Sequence, residues 1–249
     1  FEAKNINMLW ARLRHDKIIT FYEEKTQDYD SVLEIFIRTN QGGQKLKYSD
    51  LLFSHIKLQW HQAREKFEEL IHSLNDGDRY RFDNDFVLKA ILFIHSTNQE
   101  SIKYRTKNFT KDVINGMKDK NEWEKRIVKS FKLMVDLISD KYFLTNYKLI
   151  TSHNVLIPIF YYIYKNNFNA IGEEKGGINS EIQKSIHEWL ITTMLAGVFG
   201  SQSDGILSTV RGAYKEHGSD TSFPASLINK KVRESRPMLS LSISADLID

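Results

Sequence analysis

Cysteine is absent from the 249-residue chain. That removes disulfides and thiolate metal centres, and it suits a cytoplasmic protein. Helix-breaking residues are scarce, with 3 prolines and 12 glycines, so long regular elements are expected, helices above all. No signal-peptide pattern is visible, and no apolar run approaches the roughly 20 residues that a membrane helix needs. The longest such run, "VLIPIFYYIY" from Val155 to Tyr164, reads as a buried helix, and no membrane partner is expected. Charge of one sign is lacking too: 35 basic side chains stand against 32 acidic ones, so net charge names no partner. Phe1 is not an initiator methionine, which leads to the expectation of a processed or excised piece.

What is present is apolar and aromatic. A hydrophobic content of 41%, with 12% aromatic, is ample for a buried core. Ile6, Leu9, Trp10 and Leu13 fall at helical spacing, which predicts an amphipathic first helix. "KIITFYEE" (Lys17 to Glu24) is β-branched and aromatic and is the best strand candidate. Asp28 or Asp30 can cap a helix through Val32, Leu33, Phe36 and Ile37. Ser49 is read as the cap of a helix carrying Leu51, Leu52 and Ile56, and "AREKFEELIHSL" continues the period as far as "NDGD". Asp83 or Asn84 opens "DFVLKAILFIH", and Trp123, Ile127, Phe131, Val135 and Ile138 share one helical face. Ser152 or Asn154 starts the aromatic helix, with Pro158 near enough to its N-terminus to be tolerated. A polar loop from Asn169 to Ser180 leads into "EIQKSIHEWLITTMLAGVF"; Asp204 is read as the cap of "GILSTVRGAY", and Pro224 as part of the first turn of a last helix. The fold class is therefore mainly α, with one or two strands near the N-terminus.

Two constellations carry chemistry. In "EIFIRTNQGGQKLKYSDLL" (Glu34 to Leu52), Gly42 and Gly43 let backbone N–H groups converge on an anion. Arg38 supplies a bidentate phosphate donor, and Asn40 a hydrogen bond to the turn or to a ligand. The alternative is a helix–turn–helix corner in which glycine only ends a helix. No Gly-Lys-Ser/Thr follows, so the stretch is not a P-loop. The second constellation is basic. From Lys103 to Lys148 there are 12 basic residues and 6 acidic ones. Lys125, Lys129 and Lys132 stand at i, i+4 and i+7, about 200° around the helix from Ile127 and Phe131. They form either a solvated face or a track for a phosphate backbone, which needs charge but no base-reading code. "LINKKVRESR" (Leu227 to Arg236) is a smaller basic cluster. The eight histidines show no His-Glu-x-x-His spacing and no metal site is expected; nor does a serine-nucleophile elbow appear.

The stretch from Glu34 to Leu52 resembles the second motif of the ParB/sulfiredoxin-like N-terminal domain of GmrSD-type modification-dependent restriction systems. Members read Phe-x-Arg-x-Asn-x-x-Gly-x-x-Leu here, matched by Phe36, Arg38, Asn40, Gly43 and Leu46, followed by a helix like Ser49 to Leu52. A Leu-Ile-Pro aromatic helix (Leu156 to Tyr162) and an Arg-x-x-Tyr helix (Arg211, Tyr214) are weaker points of similarity, so the resemblance covers residues 17–249. The family's Asp-Gly-Gln-Gln-Arg motif, linked to nucleotide hydrolysis, belongs upstream of this stretch and is missing from the chain. The resemblance implies a remnant of a ParB-like nucleotide-handling domain at residues 1–50, left from a truncated α/β domain, followed by a helical domain at residues 51–249. It implies a nucleotide site edged by Arg38, Asn40, Gly42 and Gly43, with no catalytic residue in this piece. Nucleoside triphosphate with Mg is expected for the full-length protein only. Expected partners are nucleotide there and DNA at Lys125, Lys129 and Lys132; self-association into a homo-oligomer is compatible with this picture. A non-catalytic helical module binding DNA or protein is the rival reading.

Overall fold

Asp83 shows how local sequence sets a largely buried helix. Its carboxylate accepts the backbone N–H of Phe86 at 3.0 Å, satisfying one of the orphan donors at a helix start. The run that follows carries apolar residues on nearly every side, so the helix is internal rather than amphipathic.

The structure, a computed structural model, describes residues 2–15, 23, 25, 31–32, 35, 48–75, 77, 79–98, 100–200 and 203–236. In chain order its main elements are α1 (Glu2–His15), α2 (Tyr48–Lys57), α3 (Ala63–Asn75), α4 (Asn84–His95) and α5 (Lys111–Lys118). A long helix follows, whose α-helical centre α6 (Lys129–Asp136) lies between π-helical stretches at Asn121–Val128 and Leu137–Lys141. Then come α7 (Leu156–Asn166), β1 (Ala170–Ile171), β2 (Gly177–Ile178), α8 (Ser180–Leu195), α9 (Ser203–His217) and α10 (Ala225–Ser235). The chain is mainly helical, as its composition and periodicity predict.

The core is organised around α7. Every residue from Leu156 to Ile163 is buried, and α4, α6 and α9 pack around the helix. Phe160 stacks on Phe131 with ring centroids 3.9 Å apart. Tyr161 meets Phe93 and Tyr214 edge-on, and Tyr162 meets Phe223. Burial of each such side chain contributes about 1.5–3 kcal/mol. Pro158 is the third residue of α7, where its missing N–H leaves no intrahelical bond unmade. Asn167, in the left-handed conformation at φ 51°, ends the helix.

Several local expectations are corrected. The strands found among the described residues are not N-terminal; they lie in the segment read as a polar loop, where β1 and β2 pair in parallel with Ala170 opposite Gly177. The strand candidate at residues 17–24 lies outside the described residues except for Glu23, which is neither helix nor strand. In the stretch read as a helix through Ile37, the described residues Ser31, Val32 and Ile35 are helical. Ser49 is not a cap but a buried residue inside α2. Asp204 is not a cap either: it lies in the first turn of α9, where its carboxylate accepts the Tyr104 N–H at 3.3 Å and pairs with Lys89 at 3.8 Å. A long-range partner thus displaces the local one. The amphipathic N-terminal helix does form, but Ile6, Leu9, Trp10 and Leu13 are all exposed.

Candidate functional site

The lysine stripe is positioned by the aromatic face on the other side of its helix. Trp123 packs against Trp60 and Phe67, both at 5.0 Å between ring centroids, while Ile127, Phe131 and Ile138 are fully enclosed. Those contacts fix the rotation of the helix, and the opposite surface carries Lys125, Lys129 and Lys132, all exposed. None of the three forms an ion pair among the described residues. Neighbouring acids are partly engaged elsewhere. Glu122 accepts from Arg126 at 3.0 Å and from the Tyr164 hydroxyl, and the Arg126 guanidinium lies over the Tyr164 ring at 4.1 Å. Burial, reinforced by Asp140, raises the Asp136 carboxyl above its usual range, with Lys132 acting the other way. The stripe is therefore a row of solvated ammonium groups on a rigid support.

The expected nucleotide residues Arg38, Asn40, Gly42 and Gly43 lie outside the described residues. Several of the histidines have structural surroundings. His187 stacks on Tyr142 at 4.6 Å, His55 pairs with the Phe109 carbonyl at 3.2 Å, and His153 packs against Phe82. Among the described residues no three metal-ligating side chains come together.

A second basic feature escapes sequence reasoning. Where α4 ends against α9, Arg211 directs its Nε–H to the Phe93 carbonyl and to the Ser96 hydroxyl, each at 3.1 Å. Its guanidinium lies over the Tyr161 ring at 4.6 Å. The same arginine lines a cavity of ≈ 550 Å³ with Ser96, Thr97, Asn98, Ser208, Gly212 and Lys215. No carboxylate is among those residues. Burial foremost, and the nearby Arg211 charge after it, lower the pKa of the Lys165 ammonium, with Asp220 acting the other way. Arg211 and Tyr214 are legible as a motif; the partners of Arg211, more than a hundred residues upstream, are not. The one local signal is Gly212, a poor helix former held in mid-helix between two cations.

No family model matches the chain, and no curated protein does.

Proposed function

We propose that this chain is a non-catalytic helical module that docks the phosphate backbone of DNA on Lys125, Lys129 and Lys132. The observation that carries this reading is the exposure of three ammonium groups on one helix face without ion-pair partners among the described residues, opposite a face locked into the aromatic core. Backbone recognition asks for fixed positive charge at the surface and for nothing that reads a base. The similarity of residues 34–52 supports a wider setting, in which the module is the helical part of a GmrSD-like, nucleotide-dependent, modification-sensing restriction protein. In that setting Arg38, Asn40, Gly42 and Gly43 edge the pocket for a nucleoside triphosphate with Mg, while the chemistry belongs to the missing Asp-Gly-Gln-Gln-Arg motif.

The test is fluorescence anisotropy of a labelled duplex with the native protein and with Lys125→Gln/Lys129→Gln/Lys132→Gln, across a range of salt. The triple variant should bind more weakly. Its slope of log affinity against log salt should flatten by about 0.9 for each phosphate that is no longer neutralised. Equal affinity and equal slope would make the stripe a solvated face only.

A further inference from the structure

We propose that the cavity between the C-terminal end of α4 and the middle of α9 binds a small phosphomonoester, gripped by Arg211 and Lys215. Three observations converge on it.

The first is the state of Arg211. Its Nε is committed to Phe93 and Ser96, and its face to Tyr161, so its plane is fixed. The terminal nitrogens have no hydrogen-bond acceptor among the described residues. A guanidinium held by one edge presents the rest of its fork ready-made for a planar pair of oxygens, with little rotamer freedom left to lose on binding. Binding the Phe93 carbonyl and the Ser96 hydroxyl accounts for one edge of the group and leaves the other unexplained.

The second is the lining. Lys215 lies one turn further along α9, exposed and without an ion pair among the described residues. The hydroxyls of Thr97 and Ser208 and the amide nitrogen of Asn98 add donors; the Asn98 side-chain oxygen is already taken by the N–H groups of Glu100 and Ser101. Two cations with several neutral donors and no acidic side chain suit a dianion better than a single carboxylate. The volume of ≈ 550 Å³ falls in the range of about 300–1,000 Å³ typical of small-molecule sites.

The third is Gly212. A Cβ built there meets no atom within 4 Å, so the helix tolerates a side chain sterically. Glycine in a helix interior is nonetheless the costly choice. Its place in the wall of the cavity gives that choice a purpose, since any side chain at this position takes up room that a ligand would need.

The experiment is calorimetric titration of inorganic phosphate and of adenosine monophosphate into the full chain, with acetate as a carboxylate control and thermal melts alongside. Saturable binding of phosphate or the monophosphate is expected, with acetate weaker. Lys215→Gln should weaken it by about tenfold or more, since one charge-assisted hydrogen bond is removed. Gly212→Leu should abolish it by filling the space. A Cβ at Gly212 meets no atom within 4 Å and Lys215 forms no ion pair among the described residues, so both variants should melt close to the native protein. Absence of saturable binding by either phosphate probe would overturn the proposal. So would acetate binding as tight as phosphate, or native affinity in both folded variants.

Discussion

The phenolic hydroxyl of Tyr214, on α9, donates to the backbone carbonyl of Pro158, on α7, across 2.9 Å of buried space. Burial raises the phenol's pKa well above its usual value, which favours the protonated hydroxyl that donates this bond. The bond ties the aromatic helix from Leu156 to Tyr162 to the helix that carries Arg211 and Tyr214. Tyr214→Phe should keep the edge-on ring contacts with Phe93 and Tyr161 while losing this one bond. The expected loss is about 0.5–1.5 kcal/mol in urea denaturation at unchanged m, because only the hydroxyl is removed. A loss several times larger would mean that the tyrosine also organises its surroundings.

Two helical glycines should respond oppositely to the same change. A Cβ at Gly116 on α5 would stand 2.8 Å from Cε1 of the half-buried His95 ring, so Gly116→Ala forces that ring to move. It should destabilise the protein by on the order of 1–2 kcal/mol despite alanine's better helix propensity. At Gly212 nothing is met, and Gly212→Ala should stabilise by up to about 1 kcal/mol. Melting temperatures of the two variants moving in the same direction would contradict this reading of the packing.

Acid sensitivity should begin with imidazoles. Burial holds His95 and His153 below the ordinary value of 6.5, with Glu122 and Asp83 respectively pulling the other way. His95 Nε2 is also buried without a hydrogen-bond partner among the described residues. With folded values depressed, the unfolded chain takes up protons first as pH falls. The stability at stake is therefore fully present above pH 6.5 and is lost as pH drops through the folded values. Hydrogen bonds hold Glu100, Glu173, Glu216 and Asp220 below the usual carboxylate range, helped by nearby cations at all but Glu173, so these groups add nothing within this window. Chemical denaturation at about pH 7.5 and about pH 5.5, on either side of the imidazole range, should show the native protein weakening, and His95→Gln/His153→Gln weakening less over the same interval. An unchanged difference would place the acid sensitivity elsewhere.

The helices are legible because each repeats a local pattern, and caps such as Asp83 act within one turn of their own position. The face of Trp123, Ile127, Phe131 and Ile138 likewise follows from period alone, and the exposure of Lys125, Lys129 and Lys132 follows from it. What escapes depends on distance along the chain. Asp204 looks like a cap until Tyr104 and Lys89 arrive from elsewhere in the fold. Arg211 carries no visible mark of its partners at Phe93 and Ser96. The β1–β2 pair is two residues long on each side, too short for alternation to register. The π-helical stretches around α6 differ from an α-helix by about one residue per turn, a difference that hydrophobic spacing does not resolve.

The helix α7 has no solvent face from Leu156 to Ile163, and that has a kinetic consequence. Exchange of an amide proton with solvent requires its hydrogen bond to open, and nothing in this helix opens unless the helices around it leave first. Its amides therefore report the unfolding of the whole body, whereas those of α1, whose apolar side chains stand in water, exchange through local fraying. Among the described residues the slowest protons are expected in this helix, which the helices around it enclose.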